Sequence, residues 1–375
     1  MKNMISHIGY LFCCLAFCVP ASAGTIYVDV DATGRNDGTS WSDAYTSLSA
    51  AIDAASAQDE IWVAEGTYRP VVMKNGVRVY GGFAGTESSV SAGDADAHKT
   101  YISGQGVSRA VESVGNDSSA LLRGFYITEG FIDFPYIGGG VLLKDSDAMF
   151  VNCVFTGNRS TVMGGAVGIR GGSPTFVNCR FYGNDGGWAA GAVFNLRSGS
   201  TSFVNCLFYE NDAWEAGAVS ILTGAVTFSN CTLSANRASI GKGGALFDTL
   251  GEAVLHNCIL WDNTSPVSGA DEIFNLPTAG GATTVTYSLV KGGWAGEGNI
   301  DSDPVFVDSA KHDYRLQEAS PARDMGDNGS LPADVCDTSF DGDTSEVLPK
   351  DLALNPRING DSVEMGAFEW HAPGE

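Results

Sequence analysis

The sequence predicts an all-β chain wound as a right-handed parallel β-helix, a solenoid of stacked coils with one short capping helix at its start. Three observations carry this. An Asn-Cys phrase recurs five times, at Asn152-Cys153, Asn178-Cys179, Asn205-Cys206, Asn230-Cys231 and Asn257-Cys258, each followed by Phe or Leu and closed by Asn158, Asn184, Asn211, Asn236 or Asn263. The cysteines stand 26, 27, 25 and 27 residues apart, and self-similarity on that period means stacked units that cannot bury their apolar faces alone. A second phrase keeps the same beat: Gly139-Gly140-Val141, Gly164-Gly165-Ala166, Ala190-Gly191-Ala192, Ala216-Gly217-Ala218 and Gly243-Gly244-Ala245. Between the phrases, short runs rich in Val, Phe and Thr are cut by Gly or Asn before any helix could nucleate. Leu-x-x-Leu-x-Leu ladders are absent and the period is wrong for calcium-binding nonapeptides, which excludes those two repeat types.

Four segments follow in order. Residues 1–23 read as a secretory signal peptide: Lys2, an apolar run over 8–19, then Pro20-Ala21-Ser22-Ala23 with cleavage expected after Ala23. Cys18 also permits a lipoprotein reading, against which stands the bulky Phe17. Residues 24–99 read as an N-terminal cap and first irregular rungs. Strands are expected over 25–30, 60–64 and 76–83, and a helix over 42–55, where apolar positions 44, 45, 48, 51, 52 and 55 have helical spacing behind a Ser/Asp cap. Its task is to cover the open strand edges of the first coil. Residues 100–310 form the β-helix, with early rungs at 100–104 and 121–127 and a last strand over 283–290. Residues 311–375 form a C-terminal cap ending in a strand over 363–369.

Composition narrows the function. A formal charge of −23 repels nucleic acid and anionic lipid, and favours cations such as Ca²⁺. No segment after the leader is apolar enough to span a membrane. Of nine cysteines, three leave with the leader and five share one repeat position. A column of buried free thiols fills space as small hydrophobes; the alternative is a bridge between neighbouring rungs, whose spacing of about 4.8 Å is within disulfide reach.

The paired Gly-Gly-Ala and Phe-x-x-Asn phrases resemble the repeats of polymorphic outer-membrane proteins and, more broadly, secreted bacterial proteins of the pectin-lyase-like β-helix superfamily. Val79-Tyr80-Gly81-Gly82-Phe83 resembles an N-terminal rung of multi-domain relatives. Asp301-Ser302-Asp303-Pro304-Val305-Phe306, Ser320-Pro321-Ala322, Asn355-Pro356-Arg357 and Met365-Gly366-Ala367-Phe368-Glu369 resemble their closing segment. The resemblance implies a secreted, extracellular or cell-surface location. It leaves activity open, since the superfamily includes lyases, hydrolases and adhesins. No translocator barrel follows residue 369, so autotransport is not expected.

Candidate chemistry sits where the repeat is broken. Asp185 and Asp212 follow repeat asparagines and should stack on adjacent rungs beside Arg159 and Arg237. They form a surface charge ladder, or as a pair they share Ca²⁺. A lyase would also need a base and a carboxylate neutraliser: Lys242 as base, given a lowered pKa, with Arg170 and Arg197 as binders. Trp188 and Trp214 each lie three residues before a repeat glycine, so both occupy one position on consecutive coils, either stacking on sugar rings or packing on each other. Asp337, Asp341 and Asp343 around Gly342 are a weak calcium-loop candidate. The expected function is non-catalytic binding of polysaccharide or cell-surface glycan; the alternative is a Ca²⁺-dependent polysaccharide lyase of the pectate-lyase kind.

Overall fold

The computed structural model describes residues 24–276 and 280–372; the expected leader lies outside them. The predicted solenoid is present. Successive coils pair in parallel and nearly in register, Val141 with Val167, Val167 with Val193, Val193 with Val219 and Val219 with Leu246. A first sheet of 16 strands takes two runs from most coils, such as Val141–Lys144 and Met149–Val151, which merge in Val193–Val204 and Val219–Ser229. A second sheet of nine strands takes one run per coil, such as Val154–Thr156 and Arg180–Tyr182. A third face is narrow, with two-residue strands such as Asp212–Ala213 and Arg237–Ala238.

Each repeated residue has its own physical task. The Asn before each Cys turns the corner between the first two sheets in the left-handed region, with φ of 50° at Asn152 and Asn205 and 53° at Asn178, Asn230 and Asn257, a conformation Asn tolerates. The closing Asn builds a ladder inside the next corner. Nδ2 of Asn158 donates to Oδ1 of Asn184 at 3.1 Å, and the pattern continues to Asn211, Asn236 and Asn263 at 2.9, 2.8 and 2.8 Å. Inside, Phe150, Phe176, Phe203 and Phe228 stack at centroid spacings of 5.2, 4.9 and 5.1 Å. Phe155, Phe181 and Phe208 make a second column. Each such fully buried ring is worth roughly 1.5–3 kcal/mol of apolar burial. All five repeat cysteines are free and buried. The middle glycines 165, 191, 217 and 244 lie where coils approach so closely that a Cβ would collide with a backbone carbonyl of the next coil.

One correction follows from the register. Because Val141 pairs with Val167, the first copy of the glycine phrase is Gly138-Gly139-Gly140, one residue earlier than the sequence pattern suggested.

The two ends are closed differently. The helix spans Leu48–Ala54, capped by the Ser47 hydroxyl accepting from the Ala50 N–H, and buries Leu48, Ala51 and Ile52 in the main core. It is shorter than its apolar spacing predicted because the preceding residues are used elsewhere. Asp43 accepts from Arg35 and Tyr45 bonds to the Tyr27 backbone. At the far end Trp294 packs against the same core.

Beyond it the chain turns back along the flank of the stack. The corner asparagines hold this returning segment from outside: Asn257 Nδ2 donates to the Asp327 carbonyl at 3.0 Å, Asn230 to that of Glu364 at 3.4 Å and Asn205 to that of Lys350 at 2.6 Å. Residues 363–369, expected as a final strand, form none; their N–H groups are taken up by Asn257, Ala322 and Thr232 instead of by a ladder. Underneath lies an ion pair, Arg357 Nη2 to Glu369 Oε1 at 2.8 Å, with both side chains at most 1% exposed. Burial lowers the Arg357 guanidinium to about 10 and raises the nearby Glu364 carboxyl to about 7.

Candidate functional site

An exposed aromatic strip runs along the turns that lead from the third face into the first sheet. Trp188 and Trp214 are 47% and 50% exposed. Their backbones are adjacent on neighbouring coils: Ala189 bridges Glu215, and the Glu215 N–H donates to the Trp188 carbonyl at 3.1 Å. Among the described residues the two indoles share no ring contact. Trp188 instead faces Phe134 at a centroid distance of 6.4 Å. Tyr136, 59% exposed, lies three residues before Gly139, the count that separates Trp188 from Gly191. Phe134, at 68% exposed, completes the strip. Sequence reading missed both residues, and the one-residue slip in the first glycine phrase is what hid Tyr136.

On the adjoining third face the predicted charge ladder is in place. Arg159 bridges Asp185, Asp185 bridges Asp212, and Asp212 pairs with Arg237. Arg159 Nε reaches Asp185 Oδ2 at 3.2 Å and Arg237 Nε reaches Asp212 Oδ2 at 3.6 Å. Burial pushes the Asp212 carboxyl up; Arg237 opposes this and Asp185 adds to it. Each carboxylate already has a guanidinium partner. Among the described residues no group of three or more His, Cys, Asp or Glu side chains is placed to hold a metal ion, so these residues do not fit Ca²⁺. The Asp337 and Asp343 carboxylates cap their own turns, accepting from Asp341 and Ser345 N–H groups.

The candidate lyase residues do not converge. Lys242 Nζ lies 4.0 Å from the centre of the Phe274 ring. Arg170 and Arg197 are exposed. They are not equivalent either, since Arg170 pairs with Leu196 and leaves Arg197 one residue beyond, at φ 58°. Arg170 stands three coils from the Leu246 coil that Lys242 leads into, about 14 Å along the stack.

A different concavity does gather polar groups. Residues 90–96 and the returning segment wall a cleft of ≈650 Å³ over the corner between the first two sheets. Arg180 Nη1 lies 3.7 Å from Asp96 Oδ1, and the Tyr126 hydroxyl donates to the same oxygen at 3.5 Å. Burial pushes the Tyr126 hydroxyl up to about 12, with Asp96 adding to the effect. Arg123 is buried, donates to the Asp337 and Thr338 carbonyls and stacks on Phe340 at 3.7 Å. No sequence signal pointed here, because one wall comes from a segment with no repeat.

Comparison with known proteins bears first on the fold. A family model described as "Right handed beta helix region" matches residues 110–285, and one described as "Protein of unknown function (DUF1565)" matches residues 30–182. No curated protein matches the chain. Among solved structures, pectate lyase Pel9A aligns at 17% identity over 93% of this chain and 97% of its own, with a TM-score of 0.43. The pectin methylesterase from Aspergillus niger aligns at 14% over 75% and 84%, with a TM-score of 0.28. A rhamnogalacturonan lyase aligns at 11% over 76% and 91%, with a TM-score of 0.27. Similarity at this level transfers no residue and no activity.

Proposed function

The chain is a right-handed parallel β-helix repeat protein, and from that premise we propose that it is a non-catalytic binding protein for polysaccharide or cell-surface glycan, acting outside the cell. The observation that carries the reading is the aromatic strip. Two indoles stand about half exposed at one position of adjacent coils, with Phe134 and Tyr136 extending the row. Large aromatics left open to water at consecutive rungs are not needed by a stack whose core is already filled with Phe columns. They offer flat apolar faces at a fixed spacing of about 4.8 Å per coil, suited to ligands whose rings have an apolar face and a hydroxyl rim.

The lyase reading lacks comparable support. It requires a base and a carboxylate neutraliser at one place, whereas Lys242 lies on Phe274 and the ladder acids are matched by Arg159 and Arg237.

The test is calorimetric titration of the full chain with neutral and acidic polysaccharides. Saturable binding is expected. Trp188→Ala with Trp214→Ala should weaken it by about 10-fold or more, as loss of two stacking contacts predicts, while the melting temperature changes little. Binding unaltered in the double variant would remove the strip from the mechanism. Calcium-dependent release of unsaturated, ultraviolet-absorbing product that disappears in Lys242→Ala would replace the binding reading with the lyase.

A further inference from the structure

Besides turning the chain, the corner asparagines bind peptide backbone on the outside of the coil. Asn257 pairs with a whole residue: its Nδ2 donates to the Asp327 carbonyl at 3.0 Å and its Oδ1 accepts from the Asp327 N–H at 2.8 Å. Asn230 and Asn205 donate to the carbonyls of Glu364 and Lys350. At Asn205 the contact has a second part. Leu352, two residues after the bound carbonyl, is 3% exposed and shares an apolar cluster with Leu207, two residues after the asparagine. Among the described residues the returning segment makes no hydrogen bond to the next two corner asparagines. Asn178 and Asn152 line the cleft instead.

The direction of these amides is fixed from the side of the returning segment. A guanidinium can only donate, and Arg357 Nη1 reaches Asn205 Oδ1 at 3.2 Å. Asn205 therefore offers its Nδ2 to Asn178 Oδ1, at 3.0 Å, and Asn178 turns its own Nδ2 away. That nitrogen belongs to a side chain 3% exposed and has no partner among the described residues. The Asn152 amide, one rung further, makes no hydrogen bond among them either. Two residues past Asn152, Val154 lines the cleft beside Tyr126 of the neighbouring coil, with Leu352 and Leu354 on the facing wall. An open corner amide followed two places later by an apolar residue repeats what the returning segment meets at Asn205 and Leu207. We propose that this cleft binds an extended segment of a partner protein, one backbone carbonyl on the Asn152 amide beside the Asn178 donor and an apolar side chain two residues later over Val154. An extended chain places residues i and i+2 on one side, which matches the spacing from asparagine to valine. The open groups here are neutral amides and apolar carbon, which a simple ion does not satisfy. The net charge of −23 disfavours an acidic segment.

The probe is a capped hexapeptide that copies Pro349 to Leu354 of this chain, Pro-Lys-Asp-Leu-Ala-Leu, in which one positive and one negative side chain cancel. It is titrated into the full chain by calorimetry and followed by nuclear magnetic resonance of the side-chain amides. Saturable binding is expected, with movement of the Asn152 amide signals, identified by their absence from the spectrum of Asn152→Gly. Glycine adopts the corner φ of 50° without strain, so this variant keeps the turn and loses only the amide. It should bind the peptide about 2- to 10-fold more weakly, the loss of one hydrogen bond. Leu352→Ser within the peptide needs no change to the protein and should weaken binding by about 10-fold or more, the loss of one apolar contact. Chitotriose, whose acetamido carbonyls offer the same acceptor on a sugar, should leave the Asn152 signals in place. The proposal is overturned by absence of saturable binding at about 1 mM peptide, by Asn152 signals that stay unmoved at saturation, or by equal affinity in Asn152→Gly. Asn152 signals moved by chitotriose and not by the peptide would overturn it as well, and give the cleft to a sugar.

Discussion

At the scale of single residues, the most exposed assumption in the stack is how the asparagine ladder ends. Each amide hands its N–H to the next, so the last one needs an acceptor from elsewhere. Asn263 Nδ2 finds it in Glu272 Oε2 at 2.5 Å. Glu272 is 5% exposed, its other oxygen has no partner, and burial pushes its carboxyl up to about 8, with Asn263 opposing the shift. Protonated, it ends the ladder as a neutral group; ionised, it is a charge in a low-dielectric corner. The folded state therefore binds a proton that the unfolded chain releases near pH 4.5. Stability from this group is complete below that pH and is lost as pH rises through about 8. Glu364, raised to about 7 by burial, acts in the same direction. We predict a melting temperature that falls between pH 5 and pH 9, and a Glu272→Gln variant whose fall is smaller and whose melting temperature at pH 9 exceeds that of the natural chain. Glu364→Gln separates the two contributions. An unchanged pH slope in both variants would show that neither carboxyl holds its proton in the folded state.

At the scale of elements, the coil was legible because stacking imposes the same demand at every turn. A left-handed corner asks for Asn, a ladder for a second Asn, a close approach for Gly and an interior column for Cys or Phe. Five repetitions make each demand visible. The sequence misleads where a residue serves a different element. Apolar spacing extends the helix back to residue 42 because Ala44 and Tyr45 fit its apolar face, yet Tyr45 bonds to Tyr27 and Asp43 binds Arg35. The glycine phrase slipped by one where Gly138, Gly139 and Gly140 permit two alignments and only the Val141 pairing chooses. The helix that remains is seven residues long, too short to persist in water without a buried face. Its reason to exist is the first coil, whose strand edge would otherwise be open to another chain. Ile52→Asp, which drives a charge into that contact, should then raise self-association above that of the natural chain, visible by light scattering. A destabilised variant with the same scattering mass as the natural chain would mean that the exposed edge is shielded by something other than the helix.

At the scale of the whole molecule, the returning segment decides which flank of the solenoid is open and which is covered. Nothing in the repeat announced it. The asparagines that grip it are the ones the corner already required for their backbone angle, so their side-chain use leaves no separate trace in the sequence. The cleft it helps to wall was hidden for the same reason, since Phe340 meets Arg123, and Lys350 comes to line the same cleft as Arg180, only after the chain has folded back over them. Its anchor is Arg357, which reaches Glu369, the Asn205 side chain and the Glu364 and Gly366 carbonyls. Truncating one partner of a buried ion pair leaves the other charge unmatched, at about 3–5 kcal/mol. If the segment is a strap docked on an independently stable stack, Arg357→Ala should spend that cost locally. Hydrogen exchange would accelerate across residues 320–370 and along the flank strands Met149–Val151 and Thr175–Val177, while the Phe-lined interior keeps its protection. Replacing both partners, Arg357→Met with Glu369→Leu, should restore slow exchange, because no charge is then stranded. A single cooperative loss of protection over the entire chain in Arg357→Ala would instead make the segment an integral part of the stack, with no separate strap to release.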